Sequence, residues 1–156
     1  MSTVVVMVRP SRRPGRPAAT RRQLALDFAA AWGRLERSLD GSLSAARGIS
    51  FAEYRLLEAL DRAPDAMASR VELASAVGLT PSGVTRALRP LEKLKIVRTQ
   101  RAERDARLAL AKLTPAGRQL VAEASVIVED VMGSLLENVP GRRPTLADVL
   151  AELAPQ

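Results

Sequence analysis

The chain has 156 residues and a net charge of +7; 47% of its residues are apolar and only 3% aromatic. That length suggests one domain, with a core of Leu, Val and Ala, a composition that favours helices. Cys and His are both absent, which excludes Cys/His zinc sites, thiol redox sensing and His-based catalysis. No metal site, cofactor or catalytic residue is expected.

Residues 1–20 include "RPSRRPGRPAAT" and no acid. Proline blocks helix and the arginines repel one another, so this segment reads as a disordered basic arm. The start "MSTVVVMV" is too short for a secretory leader and precedes its arginines instead of following them. No apolar run approaches the roughly 18–20 residues of a membrane span. The expectation is a cytoplasmic protein that makes no use of a membrane.

A long helix is predicted from Arg21, with Leu24, Phe28, Trp32, Leu35, Leu39 and Leu43 on one stripe. Gly48 is placed to stop it. Ser50 caps a second helix with Glu53 in the capping-box position; Phe51, Tyr54, Leu57 and Leu60 form its stripe, and Pro64 and Asp65 end it. Ser69 and Glu72 repeat the capping box for a third helix, with Val71, Ala74 and Val77 expected to face inward. Gly78 suits a left-handed turn.

Thr80 caps a fourth helix and Pro81 takes its first position, where a missing N–H costs nothing. Val84, Leu88 and Leu91 form its buried face; Ser82, Thr85, Arg86 and Arg89 fall on the opposite one. Pro90 predicts a kink. Strands are predicted over Ile96–Arg101 and Arg107–Leu113, joined by the charged tip "RAERD". Thr114 and Pro115 begin a fifth helix with a stripe from Leu120 through Ala124, Ile127 or Val128 and Val131 to Leu135; Thr145 caps a last one.

Charge is unevenly placed along this order. Residues 80–118 carry ten basic and three acidic groups, whereas residues 119–156 carry two basic and six acidic. A basic segment in an otherwise near-neutral fold points to a polyanion. Helix, tight turn, capped helix with a basic outer face, then hairpin is the order of a helix-turn-helix with a wing. Arginine can bond both guanine acceptors in the major groove, and Ser or Thr can meet phosphates or base edges.

From about Leu24 onward the chain resembles the MarR family of winged-helix regulators. The likeness rests on "ISFAEYRLLEAL", "ELASAVGLTPSGVTRALRPLE" and "RDARLALAKLTPAGRQL". The last segment holds the family's wing pattern, here Asp105, Arg107, Leu113 and Thr114. The resemblance implies a mainly α fold with a small β-hairpin wing: a winged helix-turn-helix with a helical dimerisation lobe. It also implies that Arg107 enters a minor groove while Asp105 orients it. On this basis residues 21–49 and 115–156 form the dimerisation lobe and residues 50–114 the DNA-binding lobe. The expected partners are double-stranded DNA, a second copy of the chain, and a small aromatic or anionic effector.

The DNA-binding residues expected are Thr80, Ser82, Thr85, Arg86, Arg89, Arg104, Asp105 and Arg107. Those expected for an effector are Trp32, Phe51, Tyr54 and Arg55, for which core packing is the competing role. Two departures from the family pattern stand out: Lys95 where a Gly is usual, and the basic arm. The function implied is a sequence-specific transcriptional regulator, a homodimeric repressor reading a palindrome through helix 80–94 and wing 96–113 and released by a ligand. The alternative is a winged-helix protein-interaction module that does not bind DNA; arginines on both helix and wing argue against it. An enzyme has little support, since no nucleophile–base set appears.

Overall fold

The computed structural model describes residues 20–101 and 109–137. The arm, the wing tip with Arg104, Asp105 and Arg107, and the helix expected after Thr145 lie outside the described residues. The elements run α1 (Arg21–Arg47), α2 (Phe51–Arg62), β1 (Met67–Ser69), α3 (Arg70–Val77), α4 (Pro81–Lys93), β2 (Val97–Arg101), β3 (Ala109–Leu113) and α5 (Pro115–Glu137).

Two compact units divide within α1, after Arg34. In the first, Leu24, Leu26, Phe28 and Trp32 remain exposed along the helix. In the second, Leu39 and Leu43 are fully buried. α1 stops at Gly48, whose φ of +69° is the left-handed conformation that glycine adopts without a Cβ clash. Asp40 then accepts the N–H of Phe51 at 2.6 Å, so a carboxylate from α1 serves the first turn of α2. Arg47 pairs with Glu123 of α5 at 3.1 Å.

Both capping boxes form. The Ser50 hydroxyl accepts from Glu53 N–H and the Ser69 hydroxyl from Glu72 N–H, while each glutamate bonds back to its cap's N–H. The box at Ser69 sets the phase of α3 differently from expectation. Leu73, Ala74 and Val77 turn inward, and Val71, in the second helical position, is 66% exposed. The three-residue strand β1 is a further departure. It follows a single 3-10 turn at Pro64–Ala66, in which Asp65 and Ala66 both take positive φ.

The sheet is antiparallel in the order β1-β3-β2. Ala68 lies opposite Ala111, and Val97 opposite Leu113. Ala68, Ala111, Val97 and Leu113 are all buried. Their face closes one cluster with Leu43, Leu56, Leu57 and Leu60, Leu73, Val84, Leu88 and Leu91, Val121 and Ala124. Burying such side chains is the main stabilising term, at about 1.5–3 kcal/mol for each large aliphatic.

α4 continues through Pro90 to Lys93. The bond that proline removes falls in the last turn, where the Pro90 carbonyl still receives Leu94 N–H at 3.1 Å. The helix ends in a Schellman motif. Ile96 N–H returns to the Leu91 carbonyl at 2.9 Å and Lys95 N–H to Glu92 at 3.0 Å. Lys95, at φ +59°, occupies the left-handed position, at a cost of about 1–2 kcal/mol for a residue with a Cβ.

Beyond the turn, Thr114 caps α5 by accepting Gly117 N–H at 3.1 Å. Gly117 is buried against the Ile96 carbonyl. A Cβ there would collide with that oxygen and sit 2.7 Å from Leu113 Cδ1, whereas a Cβ at Gly41 of α1 would meet nothing within 4 Å. The two glycines should therefore respond oppositely to alanine. Gly41→Ala should gain about 0.5–1 kcal/mol from helix propensity. Gly117→Ala should lose stability on balance, because overpacking costs about 1–3 kcal/mol. Urea denaturation of the two variants compares the signs directly.

Candidate nucleic-acid interface

The local sequence of α4 decides what its surface can offer. Thr80 caps the helix with its hydroxyl on Gly83 N–H at 3.1 Å, and Pro81 follows at the first helical position. The same hydroxyl lies 3.2 Å from Ser82 Oγ. Of the first N–H groups, Pro81 has none, Gly83 is capped and Val84 reaches the Thr80 carbonyl at 2.9 Å. That leaves the Ser82 N–H without a partner among the described residues, at the positive end of the helix.

Val84, Leu88 and Leu91 are buried to 0–1% exposure. That burial fixes the opposite face outward, with Ser82, Arg86 and Arg89 exposed and Thr85 partly so. The Thr85 hydroxyl donates to the Pro81 carbonyl at 2.9 Å, so its proton is used within the helix and its oxygen is left as an acceptor. Arg86 and Arg89 make no hydrogen bond or ion pair with any described residue, and α4 carries no acid in its first turn. Two planar guanidinium forks thus stand free on the outer face of a helix whose N-terminus is also exposed. That combination is suited to phosphate oxygens and to the paired acceptors of guanine.

Thr80, Ser82, Thr85, Arg86 and Arg89 are therefore brought onto one element. Arg104, Asp105 and Arg107 fall between Arg101 and Ala109, outside the described residues; the base of their hairpin is formed, with Arg101 opposite Ala109. Sequence reasoning missed a cluster at that base, where Arg70 meets Glu92 and Thr99. Its signal in the sequence is faint: a basic residue opening α3 and an acidic one closing α4, each at the helix end where the dipole disfavours it.

Three of the expected effector residues also come together. Phe51, Tyr54 and Arg55, with Glu58, Val77 and Val128, line a cavity of about 590 Å³. The Phe51 and Tyr54 rings stack at 6.2 Å between centroids. Their side chains hold the fold as well. The Tyr54 hydroxyl is 3.1 Å from Ser125 Oγ, and Arg55 donates to the Val77 carbonyl at 2.8 Å, satisfying the end of α3. Trp32 belongs to the first unit, on the exposed stretch of α1. Among the described residues no group of three or more acidic side chains is placed to hold a metal ion. Nor is any helix long and apolar enough to cross a membrane.

A helix-turn-helix joined to an antiparallel hairpin defines the class as a winged-helix protein. The family model of the MarR family matches residues 47–108. An uncharacterized HTH-type transcriptional regulator of Bacillus subtilis (strain 168), YdgJ, is 34% identical over 110 residues, which are 70% of this chain and 66% of that protein's length. A MarR mutant from E. coli complexed with operator DNA superposes with a TM-score of 0.74 at 25% identity, over 85% of this chain and 94% of that one. Sco3205 of Streptomyces coelicolor, a MarR family regulator in complex with DNA, shares the fold with a TM-score of 0.76 at 23% identity, over 90% and 91% of the two chains. The chain belongs to the MarR family.

The capping box that starts α3 makes this region sensitive to acid. The Ser69 N–H, and then its hydroxyl, hold the Glu72 carboxylate below its ordinary pKa of 4.5. A carboxylate with a depressed folded-state pKa adds stability that is present above the unfolded value and lost as pH falls through the folded one. Glu72→Gln should therefore be less stable than the parent near neutral pH. The difference should shrink as pH drops below about 4.5 and vanish once both side chains are neutral. Urea midpoints measured for the pair at pH 7 and pH 3 test this.

Proposed function

We propose that this protein is a sequence-specific DNA-binding transcriptional regulator, a homodimeric cytoplasmic repressor that reads a palindromic operator. The observation that carries the reading is the outer face of α4, where Arg86 and Arg89 are exposed and have no partner among the described residues. Buried ion pairs would be expected if those arginines served the fold; groove contacts need them free. The likeness to the MarR mutant solved with operator DNA supports the same role. In this reading Thr80 and Ser82 meet the phosphate backbone and Thr85, Arg86 and Arg89 face base edges. Arg107, oriented by Asp105 and accompanied by Arg104, enters the adjacent minor groove, whose negative potential favours arginine. The basic arm adds further backbone contacts.

Residues 21–49 and 115–156 form the dimerisation lobe in this reading, and residues 50–114 the DNA-binding lobe. The exposed Leu24, Leu26, Phe28 and Trp32 on α1 are apolar side chains a second copy would cover; Val126 and Leu135 on α5 are exposed as well. The cavity bordered by Phe51, Tyr54 and Arg55 offers aromatic walls and a guanidinium to a small aromatic or anionic effector. No catalysis is assigned. A protein-only module has no use for free arginines on the recognition helix and further arginines at the wing.

Selection of bound fragments from random duplex DNA tests the proposal. An enriched inverted repeat is expected, with half-sites about 34–36 Å apart, one helical turn. Recovery of no preferred sequence would overturn it. On the selected duplex, Arg86→Ala and Arg89→Ala should each reduce discrimination against random DNA by about 1–3 kcal/mol. Competition binding measures this; equal losses on both duplexes would make the two residues phosphate contacts.

A further inference from the structure

Arg70 opens α3 and Glu92 lies in the last turn of α4. Each charge is at the end of its helix that the macrodipole disfavours, so local electrostatics argues against both. The tertiary structure supplies the reason for them. The Arg70 guanidinium lies 3.6 Å from Glu92 Oε1 and donates to Thr99 Oγ1 at 3.1 Å and to the Ala109 carbonyl at 3.4 Å. The Thr99 hydroxyl in turn donates to Glu92 Oε1. Arg70 and Glu92 side chains keep only 24% and 31% of their exposure, so solvent competes weakly with these bonds.

The register explains the Ala109 bond. β1 pairs Ser69 with Leu110, and the next pair along that antiparallel ladder would be Arg70 with Ala109. The chain turns into α3 at that point, and the Arg70 side chain takes the carbonyl in place of a backbone N–H. One guanidinium thereby joins the start of α3, the end of the recognition helix and both strands of the wing at its base.

We infer that Arg70 is a positioning residue for DNA recognition, one that fixes the angle between the recognition helix and the wing so that both grooves are engaged together. The inference rests on the DNA-binding reading above. It assigns Arg70 no contact with DNA. Helix and wing are separate contact elements, and their joint engagement requires that binding energy is not spent on aligning them.

The test is binding of the full chain to its selected duplex and to a random one, with folding followed by circular dichroism. Arg70→Met keeps the aliphatic stem and removes the fork. It should lower affinity for the selected duplex about ten-fold, as expected for loss of a charge-assisted cluster, and leave random-duplex affinity and the salt slope unchanged. Arg70→Lys, which keeps the charge but not the fork, should restore only part of the loss. Arg107→Ala should cost less in the Arg70→Met background than in the parent, because the wing is already misaligned.

Glu92→Gln provides a second measurement with an opposite sign from simple electrostatics. Removing an acid near DNA should tighten binding to every duplex, whereas loosening the clamp weakens the selected duplex alone. Tighter binding to both duplexes by Glu92→Gln would overturn the inference, as would parental affinity in Arg70→Met. Equal losses on both duplexes with a flatter salt slope would make Arg70 a phosphate contact and also overturn it. A parent protein that binds no duplex at all would instead overturn the DNA-binding reading itself. If Arg70→Met does not fold, weaker binding of Glu92→Gln to the selected duplex alone supports the clamp.

Discussion

The carbonyl oxygens of Lys95 and Ile96 hold the DNA-facing half of this protein together. The Thr114 hydroxyl approaches both, at 2.8 and 3.0 Å, and the Thr114 N–H adds a bond to Ile96 at 3.1 Å. The same hydroxyl accepts Gly117 N–H and so begins α5. Three elements are thereby tied within a few residues: the end of α4, the start of β2 and the cap of α5. The junction exists only because α4 closes on a left-handed residue, and Lys95 accepts the strain that Gly would avoid. That strain is held by the return of Ile96 N–H to Leu91 and by burial of Leu91 and Val97 on either side.

Charge placement follows a division of labour that the junction makes possible. Arg62 pairs with Glu58 inside α2, but other charges connect elements: Arg47 with Glu123, Arg70 with Glu92, and Asp40 on the first N–H of α2. Where they are unpaired, as at Arg86 and Arg89, they sit on the face that the burial of Val84, Leu88 and Leu91 forces outward. A surface ion pair contributes little to stability, with a median of about 0–1 kcal/mol. Pairs of this kind therefore act on geometry more than on the stability supplied by the aliphatic core.

Much of this was legible in the sequence because it is written in local chemistry. Ser50 with Glu53, Ser69 with Glu72, and Thr80 with Pro81 mark helix starts through bonds made within four residues, and Gly48 and Gly78 mark helix ends through a backbone angle. The outward face of α4 was legible for the same reason, since a 3.6-residue period separates Val84, Leu88 and Leu91 from Arg86 and Arg89. What was not legible depends on distant partners. β1 is three residues with no period of its own, and becomes a strand only because β3 offers it an edge. Apolarity alone points Val71 inward, whereas α3 buries Leu73 in its place. The Arg70 cluster was invisible because its three partners come from three separate elements. For Arg104, Asp105 and Arg107, the assignment still rests on the family's wing pattern.

The bonds at the base of the wing bear on how a two-fold assembly would meet DNA. Two recognition helices presented to successive turns of a duplex must match its spacing together. A small error in the angle of either helix is multiplied by the distance from the dimer axis to the groove. A protein whose core is almost entirely aliphatic has few directional contacts with which to define that angle, because hydrophobic burial is non-directional. Hydrogen bonds supply the direction instead. In this chain they are concentrated where α4 turns into β2 and where Arg70 crosses to the hairpin, between the two surfaces that have to meet DNA at once.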